Sequence, residues 1–218
     1  MPGIRPRVAL ALLATLALAS AGPGFAGVGD PCRHTVPTHV NLVGWSPAGP
    51  DSAAGHFEIL IRDIANNPIP NAIVRLEFPE LPTSDLRLPT DQPDPRLHVD
   101  CAQRSVWTLT DIQGRASFTL VGGGRNPHGP TQPGSYFLLR YYDEPVCYRV
   151  TVGAFDLDGW SGMTGADLAR FGADLFSGTQ PGRADYDGDG QVTALDLSIW
   201  GQAWFSGGSI FSGTSYCP

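Results

Sequence analysis

The sequence predicts a mainly β protein, an antiparallel β-sandwich followed by a small α-helical unit built around two acidic loops. Three observations lead there. Between residues 27 and 153, short runs of alternating polarity are separated by turn clusters, about seven strands in all. The 218-residue chain carries 27 Gly and 20 Pro, which favours short strands over long helices. Beyond residue 153 the apolar period becomes helical, and one acidic loop recurs 29 residues after its first appearance.

At the N-terminus, Arg5 and Arg7 precede an apolar run over residues 8–19, with small residues and possible cleavage after Ala21 or Ala26. Twelve such residues are too few to span a bilayer, so residues 1–26 read as a secretory signal peptide. The protein is therefore expected to be secreted, extracellular or at the cell surface, with no membrane span. Loss of the leader takes the net charge from −7 to −9, and every cation is arginine. An acidic chain without basic clusters is not expected to bind nucleic acid or anionic membrane surfaces.

Cys32, Cys101, Cys147 and Cys217 form an even set in an exported chain, so disulfides are expected. Sequence allows three connectivities. Cys101–Cys147 is preferred because both border strand-like runs, leaving Cys32–Cys217 to clasp the ends.

In residues 27–153, Phe57, Ile59 and Ile61 alternate with Glu58, Leu60 and Arg62, the pattern of a half-buried strand. Asn66-Asn67-Pro68-Ile69-Pro70-Asn71 is a turn cluster, and residues 72–78 restart an apolar run. Residues 105–110 form another run. Asp111-Ile112-Gln113-Gly114 then turns the chain into residues 115–121, where Ala116, Phe118 and Leu120 share a face. Residues 136–142 and 146–152, joined by Asp143-Glu144-Pro145, are expected to form a last hairpin. Residues 79–95 and 122–134 read as long surface loops. The turn before residue 72 and the T-D-x-x-G-R-A-x-F hairpin at residues 110–118 resemble bacterial Ig-like repeats of the invasin type, over roughly residues 50–153. The resemblance implies an Ig-like scaffold or binding domain.

Asp185, Asp187, Asp189 and Asp196 stand at positions 1, 3, 5 and 12 of a twelve-residue loop with Gly190 at position 6. Alternate carboxylates converging on one point, with the backbone carbonyl of Gln191 at position 7, make the oxygen cage that Ca²⁺ requires. Thr193 is placed to cap the following helix, with Asp196 at its N3 position. Overlaying residues 156–178 on 185–207 gives ten identities in 23 positions, an internal duplication. The first copy keeps Asp156, Asp158, the Gly162 carbonyl and Asp167. Trp160 replaces its position-5 acid and Ser161 its glycine. Fewer charged ligands predict weaker binding there.

One helical pattern follows each loop and none precedes it. Leu168, Phe171 and Leu175 recur at i, i+3 and i+7, as do Leu197, Trp200 and Trp204, and these sets are expected to pack the two repeats together. A loop and one helix, repeated once over residues 154–210, resembles a type I dockerin-like module of two F-hands, leaving residues 211–218 as a tail. The resemblance implies the same calcium ligands and a docking role. Dockerins that bind cohesins carry recognition side chains, often small hydroxyl residues, at loop positions 10 and 11. Here these are Gly165-Ala166 and Ala194-Leu195.

None of the familiar catalytic motifs (H-E-x-x-H, G-x-S-x-G, G-x-G-x-x-G, a Walker loop) occurs, and the five histidines are scattered. Glu58, Glu77 and Glu80 are carboxylates from which a glycosidase pair could be drawn, but exposed strand faces account for them. Trp45, Tyr136, Tyr141 and Tyr142 are candidates for a sugar-stacking face. The expected function is that of a secreted, non-catalytic calcium-binding protein serving attachment or assembly at the cell surface or in the extracellular matrix. Its partner would be an extracellular protein or a surface polysaccharide. The alternative is a carbohydrate-binding or carbohydrate-active component docked to a scaffold through the calcium module.

Overall fold

The computed structural model describes residues 29–30, 32–78, 86–124, 136–141, 144–160, 162–176, 182–209, 211–213 and 215–218. The expected signal peptide lies outside the described residues, and no helix among them is long and apolar enough to cross a membrane. The protein is mainly β, with several sheets and a small helical part.

The strands in chain order are β1 (His39–Leu42), β2 (Trp45–Ser46), β3 (Gly49–Pro50), β4 (His56–Leu60), β5 (Ile73–Glu77), β6 (Leu86–Arg87), β7 (His98–Asp100), β8 (Ser105–Leu109), β9 (Arg115–Thr119), β10 (Gly123–Gly124), β11 (Tyr136–Tyr141) and β12 (Glu144–Ala154). A short helix α1 (Ser52–Gly55) precedes β4, and two longer ones, α2 (Gly165–Phe176) and α3 (Ala194–Ser206), follow β12. The main sheet runs β1-β12-β11-β5-β8-β7. A separate ribbon pairs β4 with β9, and shorter ribbons pair β2 with β3 and β6 with β10.

The alternation read from the sequence fixes which side chains go inward. Phe57 and Ile59 of β4 and Ala116 and Phe118 of β9 join Val74 and Leu76 of β5, Val106 of β8, Leu139 of β11 and Val150 and Val152 of β12 in one buried cluster. Phe57 and Phe118 stack with ring centroids 5.3 Å apart. Each such large side chain, fully buried, contributes about 1.5–3 kcal/mol, which is how short strands hold together without long ladders.

Several expectations change. Asp111-Ile112-Gln113-Gly114 is a turn, with the Asp111 carboxylate accepting from Gln113 N–H (2.8 Å) and Arg115 N–H (2.9 Å). It does not close a hairpin, because β8 lies in the main sheet and β9 in the ribbon. The Pro-rich stretch after residue 79 is not all surface loop. Its described part contains β6 and sends Leu86 and Leu88 into the core. Glu144 and Pro145, expected in a turn, already belong to β12, and Tyr141 pairs with Glu144. Most pairings are antiparallel, but β1 pairs with β12 in parallel, His39 opposite Thr151 through Leu42 opposite Ala154.

Cys101 pairs with Cys217, which overturns both preferred pairings. Cys32 is also disulfide-bonded. The reason is the path of the tail. Phe211 and Trp45 exchange backbone hydrogen bonds (2.6 and 3.0 Å), and Cys217 N–H donates to the Leu88 carbonyl at 2.8 Å. The last residues therefore run along the β part and reach the β7–β8 corner. A bridge between residues 116 apart removes about 4–5 kcal/mol of unfolded-chain entropy on the loop-closure model.

Candidate metal centre

The strand β12 delivers the chain straight into the first acidic loop. Phe155 N–H donates to the Leu42 carbonyl at 3.2 Å, and Gly124 N–H to the Asp156 carbonyl at 2.5 Å. The approach is so close that a Cβ on Gly124 would sit 2.4 Å from the Leu157 carbonyl oxygen. The loop is thus seated on the sheet, and its carboxylates are aimed by backbone contacts.

Asp156, Asp158 and Asp167 bring one oxygen each within 4.8 Å of one another, all three buried or nearly so. Asp156 Oδ1 accepts from the N–H of Gly159 (2.7 Å) and Trp160 (3.2 Å), and Oδ2 from Gly162 N–H (3.1 Å). Asp167 Oδ1 accepts from Asp158 N–H (3.0 Å), while Oδ2 takes Thr164 N–H (2.7 Å) and Oγ1 (2.9 Å). Arg170 Nε lies 4.0 Å from Asp158 Oδ2.

Asp185, Asp187 and Asp189 form the second group within 4.8 Å. Asp185 is buried and the other two are exposed. Its oxygens accept from Gly188 N–H and Gly190 N–H, both at 2.9 Å. Asp196, wholly buried at the start of α3, ties the loop's two ends. Oδ1 accepts from Tyr186 N–H at 2.7 Å, and Oδ2 from Thr193 N–H at 2.8 Å within the capping box expected from the sequence. Gln191 is exposed and its N–H donates to Asp189 at 2.7 Å.

Six of the seven predicted carboxylates therefore gather as two groups of three, and Asp196 lies outside the second group. Gly162 and Gln191, expected to offer carbonyls, are positioned through their N–H groups. One feature escaped the sequence reading. Gly162, at loop position 7, has φ +84° and bonds Asp156 Oδ2 just as Gly190, at position 6 with φ +87°, bonds Asp185 Oδ2. A left-handed conformation suits glycine, so the first loop has kept its turn glycine, displaced by one place. Only an overlay allowing a one-residue slip could have found it.

Crowding and burial set the electrostatics. Burial pushes the Asp156 carboxyl up to about 7, against a hydrogen bond from Ser212, with Asp167 adding repulsion. Burial also raises Asp167, opposed by hydrogen bonds from Thr164. Asp185 is raised by burial, opposed by Gly190 N–H and the nearby His39. Carboxylates held this close disfavour being ionised together unless a cation joins them.

The two repeats share a buried cluster of Phe155, Leu157, Phe171, Tyr186, Val192, Trp200 and Ala203, closed by Val43 from the β part. Asn41 Nδ2 donates to the Tyr186 carbonyl at 3.1 Å, and Tyr186 Oη to the Ala154 carbonyl at 3.1 Å. Arg183 and Asp174 form a buried two-point ion pair, Nε–Oδ2 2.9 Å and Nη2–Oδ1 2.6 Å. The helix positions expected to pack the repeats divide. Phe171 and Trp200 are buried, whereas Leu168, Leu197 and Trp204 are exposed. These three, with Phe205 (88% exposed), line an apolar groove of about 880 Å³.

Four of the other candidates have partners elsewhere. Glu58 pairs with Arg115 and Glu77 with Arg140, each at 2.5 Å, while Glu80 lies outside the described residues. Trp45 packs on Phe211 and Tyr141 on His34. Tyr142 lies outside the described residues. No protein-family model matches the chain, and no curated protein or solved structure matches it.

Proposed function

We propose that this is a secreted, non-catalytic protein in which an Ig-like β-sandwich carries a dockerin-like module stapled by calcium, serving attachment or assembly outside the cell. The observation that carries the reading is the pair of three-carboxylate groups, one per repeat. Their donor set is oxygen alone, without thiolate or imidazole, which is the chemistry of a hard cation. Asp156, Asp158 and Asp167 with the Gly162 carbonyl would hold one ion. Asp185, Asp187, Asp189 and Asp196 with the Gln191 carbonyl would hold the other. Bound calcium would neutralise carboxylates that otherwise repel, so binding and folding of residues 154–210 are linked.

The groove lined by Leu168, Leu197, Trp204 and Phe205 supports the attachment role, since it gathers exposed apolar side chains on one face that a partner would cover. The carbohydrate alternative draws no support from Trp45 or Tyr141, which pack against their own chain.

Calorimetric titration of the mature protein with calcium tests the reading, followed by capture of partners from the extracellular fraction with calcium and with chelator. Two bound ions and a calcium-dependent protein partner are expected. No binding heat and no change in melting temperature would overturn it.

A further inference from the structure

The C-terminal residues form a strap across the β part. Beyond the Trp45–Phe211 pair, Thr90 N–H donates to the Ser215 carbonyl (3.0 Å), Cys217 N–H donates to Leu88, and the Cys101–Cys217 bridge ends the run. At its centre Ser212 is wholly buried, and its Oγ–H donates to Asp156 Oδ2. Tyr216 Oη lies 2.8 Å from Ser212 Oγ. An ionised Asp156 can only accept, so Ser212 spends its proton there and Tyr216 donates to Ser212. The guanidinium of Arg87 sits over two rings, 5.4 Å from the centre of Tyr216 and 5.6 Å from that of Trp160. Trp160 occupies loop position 5, where the second repeat has Asp189. In the first repeat that place thus carries an aromatic anchor to β6 and the strap.

Resting on the calcium reading above, we infer that the strap is part of the first metal site: Ser212, backed by Tyr216 and tethered by Cys101–Cys217, is a positioning residue that orients Asp156 toward the cation. Ligating carboxylates depend on the groups that hydrogen-bond them, and losing such a partner typically weakens metal binding about 10–100-fold. Asp185, the counterpart in the second repeat, takes its described bonds from glycine N–H groups of its own loop. The strap therefore acts on one site and not the other.

Calcium titration of the full chain in two backgrounds tests this. Asp185→Asn disables the second loop and reports on the first; Asp156→Asn does the reverse. Adding Ser212→Ala to Asp185→Asn is expected to weaken binding about tenfold or more, and adding it to Asp156→Asn to change nothing. Cys101→Ser with Cys217→Ser should follow the same pattern. Terbium luminescence excited through Trp160 should weaken in parallel. Tyr216→Phe keeps the ring on Arg87 and removes only the donor, so it carries the test if Ser212→Ala disturbs folding. Equal affinity with and without these changes in the Asp185→Asn background, or equal losses in both backgrounds, would overturn the inference. A first loop that binds nothing while the second binds normally would sink it alone. A wild-type chain that binds no calcium would remove the calcium reading with it.

Discussion

The indole Nε1–H of Trp200 donates to the Phe155 carbonyl at 3.0 Å, joining the helix of the second repeat to the residue before the first loop. Both partners are buried. Trp200→Phe keeps an aromatic ring in the cluster but leaves that carbonyl without its donor, a loss of about 1–3 kcal/mol. Trp200→Ala adds a cavity and should cost about 3–5 kcal/mol. Denaturant unfolding measures both, and a Phe variant as stable as wild type would show that water replaces the bond.

Asp174→Ala should destabilise by about 3–5 kcal/mol, because it removes the carboxylate that meets the buried Arg183 guanidinium at two points. Replacing both partners with apolar residues should recover most of that loss. If the single and double variants unfold alike, the pair's geometry is not what stabilises the α2 end.

Chelation should lower the melting temperature and speed hydrogen exchange within residues 154–210. The carboxylates there repel one another without a cation. An identical exchange pattern in excess chelator would remove calcium from the folding account.

The metal-free protein should respond to pH through Asp156. Its folded-state carboxyl titrates near 7, above the ordinary carboxylate value of 3.8, so the folded state holds the extra proton between those limits. That contribution is present at low pH and is lost as pH rises toward 7. In chelator, a melting temperature higher at pH 5.5 than at pH 7.5 is expected, with the difference shrinking in Asp156→Asn. Calcium binding at the first loop should run the other way and weaken below pH 7, as protons compete for the ligand. A pH profile unaltered by Asp156→Asn would contradict this.

The two loops should differ in affinity. The second presents four aspartates and the first three, so Asp185→Ala should cost more total calcium binding than Asp156→Ala. Equal losses by calorimetry would show that burial and the strap compensate for the missing acid.

What the sequence by itself determined is local. The inward faces of β4 and β9 follow from alternation, because a strand turns over every second residue. The Thr193–Asp196 capping box and the carboxylates gathered in each loop follow from spacing within twelve residues, where the chain has little freedom to place them otherwise. Tertiary structure decided what joins distant segments. The partner of Cys101 depends on where the tail runs, not on which strands border the cysteine. Leu86 and Leu88 enter the core from a Pro-rich stretch with no period to announce them. Leu168 and Phe171 sit one turn apart on α2, yet the first faces the groove and the second is buried. Ser212 meets Asp156 only because β12, the loop and the strap converge there. Local patterns record the geometry of a few consecutive residues, whereas these contacts arise from how the whole chain closes upon itself.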